Sequence, residues 1–350
     1  MNPNLPQNKQ TQRAYEDNQE FNNWLDEEYG GLEVTDDNRY YFYKTASEIL
    51  FYTDNDLYWE IYNLQSQIKQ EVLVTEVIDS YPTPIAFYMY QVVKGYENHG
   101  QRLRYLRDIW ESLTYLLYAI VLGEAISIRL PLGNNSLNMD KILSDKISTR
   151  LNVIDTILTI AKEKRIEFVS AHLIPDELIP NIKKLNRVRN EFSHNFTEDE
   201  LRARETFQKY VGDVYTLLAK AAELSRVSIF RLGKDIEDYS KPRCLIFKGG
   251  NLHSSYDEIN LEAEQISFAV NQKVLHRKNI LAIVENRLFS LSPFLYFKEG
   301  EGPTRPCFYK QKVSGNKYSY AVTGQSEPTD FPRAIFQDQL DVLRTLLNST

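Results

Sequence analysis

The chain has 350 residues, 42% of them hydrophobic and 25% charged, enough to bury a sizeable core and to make two domains. Its net charge is −7, and nine acidic against two basic residues between Met1 and Asp37 account for all of it, leaving the remainder balanced. A balanced body excludes a general nucleic-acid coat, which needs a basic face, but leaves room for a local pocket around one or a few phosphates.

The two cysteines, Cys244 and Cys307, have no metal-ligand spacing, which argues against a zinc site or a disulfide framework and for a reducing cytoplasm. The opening run MNPNLPQNKQTQR has no apolar core, so no signal peptide is expected. Leu113 to Ile128 is the most apolar run, but Glu124 interrupts it and it falls short of the roughly 20 apolar residues of a spanning helix. It is expected to be a buried helix, with no membrane contact.

Residues 1–38 read as an acidic flexible tail, in which Phe21, Trp24 and Leu25 can dock as a helical turn. From 39 to 80 the pattern is helical and aromatic, and Asp54-Asn55-Asp56 marks one helix end and a new N-cap. Tyr81-Pro82-Thr83-Pro84 breaks the helix, because proline lacks an amide proton and restricts its predecessor. After Gly100 comes the longest helical signal, with Leu103, Leu106, Trp110, Leu113, Leu117, Ile120 and Val121 mostly three or four apart. The loop Pro131–Asn138 follows, then a helix starting near Met139 whose periodic part runs from Ile147 to Lys164.

A third helix is expected from Asp176 or Pro180 to His194 or Asn195, with Leu178, Ile182, Leu185, Val188 and Phe192 on its apolar stripe. Thr197-Glu198-Asp199-Glu200 reads as a capping box for a fourth, carrying Phe207, Tyr210, Val214 and Leu218. Residues 81–226 thus form an antiparallel bundle of four or five helices. Near Val227 the period changes to short apolar runs, among them VSIFRL, RCLIFKGG and EQISFAV, separated by turn signals. Asn286-Arg287 and Ser314-Gly315-Asn316 mark hairpins. Residues 227–330 are expected to be a small, mainly antiparallel β-domain, and 331–350 an amphipathic helix. The fold class is α+β.

The stretch with chemistry in it is Leu185–Asn195, LNRVRNEFSHN. Arg189, Asn190 and His194 stand in the order R-N-x-x-x-H. Histidine suits acid–base work near neutral pH, arginine keeps its charge and offers phosphate a planar fork, and asparagine can orient either. Such a set can assist attack of an RNA 2′-hydroxyl on the adjacent phosphate, and it requires no metal or other cofactor. At about 100° per residue, Asn190 and His194 are a turn apart on one face while Arg189 lies on its flank. A single copy is therefore an awkward site, and a second copy of the helix can supply the partner. The plainer reading is a cation and a histidine favouring the negative end of a helix, with Arg189 paired to Glu111 or Glu124.

The spacing and its setting resemble the HEPN superfamily, whose motif is arginine, a polar residue, three residues and histidine. Arg189, Asn190 and His194 match it position by position, and the resemblance covers about residues 84–226. It implies a metal-independent endoribonuclease with no cofactor, acting on RNA as a homodimer with a composite site. The setting it implies is bacterial and cytoplasmic, in a toxin or phage-defence system with an antitoxin or sensor partner. HEPN domains without catalysis act as dimerisation or binding modules, and the β-domain would then recognise a partner. Lys183, Lys184 and Arg187 precede the motif and would either guide RNA or solvate the helix. His99, His172, His253 and His276 lack partners at ligand spacing and read as surface residues. Lys273, His276, Arg277 and Lys278 form a basic cluster that reads as a solvated loop or a phosphate contact.

Overall fold

The computed structural model describes residues 14–35, 41–133, 137–194, 199–233, 238–252, 256–300 and 302–349, without the side chains of 31–35, 41–44, 193 and 194. The chain divides within one long helix into two units, Met1–Val72 and Leu73–Thr350.

In the first unit, helix α1 (Gln19–Tyr29) precedes an antiparallel hairpin of β1 (Gly31–Thr35) and β2 (Tyr41–Thr45). Helices α2 (Ala46–Thr53) and α3 (Asn55–Ser80) follow. The stretch expected to be flexible tail is therefore partly a docked helix. Phe21 and Leu25 lie one turn apart and bury themselves with Phe51 and Tyr58, and the Tyr58 hydroxyl donates to Asn22 Oδ1 at 2.6 Å. The helical segment expected from residue 39 begins instead with β2. The Thr45 hydroxyl accepts from Glu48 N at 3.3 Å and caps α2. Asp54 ends that helix and accepts from Leu57 N at 3.2 Å at the head of α3, as the Asp-Asn-Asp signal predicts.

The second unit starts at Leu73, inside α3, and Pro82 and Pro84 follow the end of that helix. Helices α4 (Thr83–Tyr90), α5 (His99–Ser127), α6 (Met139–Ile142), α7 (Ile147–Glu163), α8 (Leu178–Arg187), α9 (Arg189–His194) and α10 (Glu200–Lys220) form its first half. Asn98 caps α5 by accepting from Gln101 N at 2.7 Å. The most apolar 18-residue window of α5 is 89% buried, so its hydrophobicity is spent on the core, with α4, α7 and α10 packed around it. Asp199 caps α10 through Leu201 N at 3.0 Å and Arg202 N at 3.3 Å. Thr197, expected as the cap, lies outside the described residues. The helix expected to run unbroken to His194 is split: Val188 makes a tight turn, its N donating to Leu185 O at 3.2 Å, between α8 and α9.

The second half holds two antiparallel sheets. One has five strands in the order β5 (Asp257–Glu258), β4 (Arg243–Ile246), β3 (Ser228–Leu232), β6 (Leu281–Val284), β7 (Arg287–Ser290). The other has four, β11 (Thr329–Pro332), β10 (Lys317–Val322), β9 (Arg305–Val313), β8 (Leu295–Lys298). Both expected hairpins form, β6–β7 with Val284 opposite Arg287 and β9–β10 with Val313 opposite Lys317. EQISFAV, expected as a strand, is helix α11 (Ala263–Asn271). A reciprocal capping box between Glu262 and Gln265 starts it, and its buried residues, Gln265 and Ala269, are one helical turn apart. Val270 is left exposed. The amphipathic C-terminal helix, α12 (Gln337–Asn348), buries Leu340, Leu343 and Leu346.

Helices and sheets share a large hydrophobic core running from Val77 to Leu346, where a separate bundle and β-domain were expected, and a second, smaller cluster that includes Phe230, Cys244, Ala269 and Leu281 joins the five-stranded sheet to α11. Two residues show how they join. Gly123 in α5 has no side chain, and a Cβ there would meet Ser290 O of β7 at 2.6 Å, so the strand backbone lies directly on the helix. Arg150 of α7, 2% exposed, donates to Ser144 O at 2.9 Å and to Tyr309 O at 2.8 Å and Lys310 O at 3.1 Å in β9. Its guanidinium also lies over the rings of Tyr115, Tyr118 and Tyr309.

Candidate functional site

The core face of α5 carries Leu103, Leu106 and Trp110, and a second stripe at the same helical spacing carries Arg104, Arg107, Asp108, Glu111 and Tyr115. That polar stripe faces a cleft of about 670 Å³, closed on the far side by Phe308 and Lys310 of β9 and the turn Thr323–Ser326 after β10. Arg189, the first residue of α9, lines the same cleft. The break at Val188 makes α9 a separate helix from α8. Phe192 then packs α9 onto α10 through Tyr210, with ring centroids 5.2 Å apart, and onto α5 through Trp110. Glu191 reinforces the join by accepting from the Tyr210 hydroxyl at 2.7 Å and Lys209 Nζ at 3.0 Å.

The cleft's charges are organised around Glu111. Arg189 Nε donates to Glu111 Oε1 at 2.7 Å, and Arg107 Nε lies 3.6 Å from the same oxygen. Of the two partners foreseen for Arg189, Glu111 is the one it takes. Glu124 is fully buried and accepts instead from Arg287 Nη1 at 2.7 Å and from the backbone amides of Val169 and Ser170. The hydrogen bond to Glu111 holds the Arg189 guanidinium above its ordinary pKa. Arg107 also donates through Nε and Nη2 to Asp108 Oδ1, at 3.1 and 2.7 Å. Burial nevertheless pushes the Asp108 carboxyl up to about 6, with Glu111 adding to the shift and Arg107 opposing it. Four cations, Arg104, Arg107, Arg189 and Lys310, thus face two carboxyl groups.

Aromatic surface completes the lining. Tyr88 and Tyr105 have ring centroids 6.2 Å apart, and Tyr115 and Phe308 5.7 Å apart. Burial pushes the Tyr115 phenol up to about 12, so it remains a neutral hydrogen-bonding group. The Tyr88 hydroxyl accepts from Gly324 N at 3.1 Å and ties the rim turn to α4. Among the described residues, the Thr323 hydroxyl in the cleft wall is buried without a hydrogen-bond partner. The arrangement offers positive charge for phosphate and flat apolar surface for bases or other rings.

The other residues singled out from the sequence lie elsewhere. Asn190 is exposed and does not line the cleft. The backbone of His194 ends α9, and its side chain lies outside the described residues. Lys183 pairs with Asp155 at 2.7 Å and Lys184 with Asp213 at 2.9 Å, while Arg187 is exposed, and none of the three lines the cleft. His172 is an exposed residue held by Glu285, which raises its pKa, and His253 lies outside the described residues. Cys244 and Cys307 are free, buried thiols pushed up to about 12 by burial, which leaves them poor nucleophiles. Among the described residues no group of three His, Cys, Asp or Glu side chains is placed to hold a metal ion.

Arg104, Arg107, Asp108 and Lys310 were missed from the sequence. The polar positions of α5 repeat every three or four residues and could have been found as a stripe opposite the leucines. Lys310 gave no signal, because only the packing of β9 against the helices brings it there. Set against protein-family models, curated proteins and solved structures, the chain matches none of them.

Proposed function

We propose that this chain is an endoribonuclease of the HEPN kind, cutting RNA by 2′-hydroxyl attack without a metal. The observation that carries the reading is the position of Arg189, the motif's cation, in the wall of a cleft shared with three further cations and four aromatic rings. Arg189 would take the charge that develops on the phosphorane oxygens, held in orientation by Glu111 through Nε. By its resemblance, His194 would move protons between the 2′-hydroxyl and the leaving 5′-oxygen, and Asn190 would orient the phosphate or His194. The P–O5′ bond breaks as the 2′-oxygen bonds to phosphorus, leaving a 2′,3′-cyclic phosphate and a 5′-hydroxyl.

The proposal includes a homodimer, because in one copy Arg189 lines the cleft and Asn190 does not. A bacterial, cytoplasmic toxin or phage-defence role, with an antitoxin or sensor as regulating partner, belongs to it by the same resemblance. The test is cleavage of a labelled RNA by purified protein in EDTA. Product with a cyclic phosphate terminus, lost in His194→Ala and in Arg189→Ala with unchanged circular dichroism, is the expected result. Equal cleavage by wild type and His194→Ala would overturn it.

A second reading has its own observation. The pairing of Arg189 with the mostly buried Glu111 suits an arginine that holds α9 to α5, in a binding module without catalysis. That reading expects Arg189→Ala to lower stability and alter association, with no cleavage by any variant in the presence of its partners.

A further inference from the structure

The basic cluster at 273–278 is not used by the cleft. It belongs to a second recess, of about 430 Å³, formed where β3, the turn before β6, the end of β8 and the turn before α12 meet. Arg231, Arg277, Lys278, Tyr296, Phe297, Glu299 and Ile335 line it.

Arg231 is the built part of this recess. Its side chain is 8% exposed, its guanidinium carbon lies 3.9 Å from the centre of the Phe297 ring, and its Nε donates to Arg277 O at 3.0 Å. Its carboxylate partner is Glu299, through Nη1, and that carboxylate is on the rim, 58% exposed. A buried guanidinium is costly unless it is paired, and here the pair is closed by a side chain that water reaches.

The turn that brings the other two cations is fixed by its own hydrogen bonds. Lys278 N donates to His276 Nδ1 at 3.1 Å, Asn279 N to His276 O at 2.8 Å, and Asn279 Nδ2 to Val274 O at 2.9 Å. Asn279 is buried, so the turn is anchored at its end while Arg277 and Lys278 stay exposed. The backbone of the same turn receives Arg231 through Arg277 O. Among the described residues, three cations therefore share a recess of ligand size with a single carboxylate, and two of the cations are held on a braced turn.

We propose that this recess binds a small phosphate-bearing anion of two or more negative charges, which takes over Arg231 from Glu299 and is clasped by Arg277 and Lys278. Charge balance sets the class. The one carboxylate among the described lining residues cannot balance three cations, whereas a diphosphate can, and the planar fork of arginine matches phosphate oxygens. Ile335, 40% exposed, offers apolar contact at the rim. The site is separate from the Arg189 cleft, and the inference stands whether or not that cleft cuts RNA.

The experiment titrates inorganic pyrophosphate into the full chain at fixed ionic strength, read by calorimetry and by broadening of the phosphorus resonance. Saturable binding is expected, about tenfold weaker in the double variant Arg277→Ala/Lys278→Ala and tighter in Glu299→Gln, where the competing charge is gone. Both changes are at exposed positions, which keeps the fold intact. Arg104→Ala should leave the binding unchanged. Absence of saturable binding, binding of unchanged strength in the double variant, or loss on Arg104→Ala of the component that depends on Arg277 and Lys278 would each overturn the assignment. Citrate binding as tightly as pyrophosphate at equal ionic strength would overturn the choice of phosphate over carboxylate.

Discussion

Asp108 and Glu111 set how strongly positive the cleft is, and they do so differently. Glu111 is committed to Arg189, while Asp108 is a carboxyl lifted to about 6 from an ordinary value of 3.8. A carboxyl raised in the folded state keeps its proton when the unfolded chain has already released it. Its contribution to stability is therefore present at low pH and lost as pH rises from about 4 to about 6. The folded cleft loses positive charge as pH rises through about 6. Asp108→Asn should flatten this part of the stability profile, measured by urea denaturation between those pH values against wild type. It should also hold RNA affinity above pH 6 nearer its acid-side level, and identical profiles for the two proteins would remove Asp108 from the account. Glu111→Gln removes the carboxylate that neutralises Arg189, and affinity for a short RNA is expected to rise by about three- to tenfold, read by fluorescence anisotropy.

At the scale of elements, the contact of α5 with β7 rests on the absence of one atom. A Cβ on Gly123 would approach Ser290 O at 2.6 Å, and backbone on both sides cannot yield locally. Gly123→Ala should cost about 1–3 kcal/mol, as overpacking of a tight contact does. Gly212 makes the contrast. It lies exposed within α10 with nothing within 4 Å of an added Cβ, so Gly212→Ala should stabilise by about 0.5–1 kcal/mol through helix propensity. Opposite shifts in the two urea midpoints are the expected result, and shifts of the same sign would refute the contact argument. The break at Val188 works at this scale as well, because it ends α8 and begins α9 between the lysines and the motif.

For the residues from Leu73 onward, helices and both sheets share the larger of two buried clusters, and Arg150 ties them with charge-assisted hydrogen bonds across α7 and β9. Arg150→Met keeps much of the volume but leaves the carbonyls of Ser144, Tyr309 and Lys310 without this donor. It should cost about 2–4 kcal/mol, with amide exchange in α7 and β9 accelerating together. Exchange that rises in β9 alone would mean that helices and sheet unfold independently.

The sequence by itself determined the local elements wherever a periodic stripe met a strong punctuation. The Asp54 cap, the Pro82 and Pro84 break, the long α5, the start of α7 at Ile147 and the hairpin at Ser314-Gly315-Asn316 are all legible, because each depends on neighbours within a few residues. It misread EQISFAV, where apolar residues two apart outweighed the weaker capping signal of Glu262 and Gln265. It also offered Arg189 two partners and could not choose. Only the tertiary structure decided that Glu111 takes Arg189 while Arg287 takes Glu124, that Lys310 crosses to the polar stripe of α5, and that the two sheets share the helices' core. Those outcomes depend on which surfaces pack together across 78 residues of chain for Arg189 and Glu111 and 163 for Arg287 and Glu124, and no local period in the sequence carries that information.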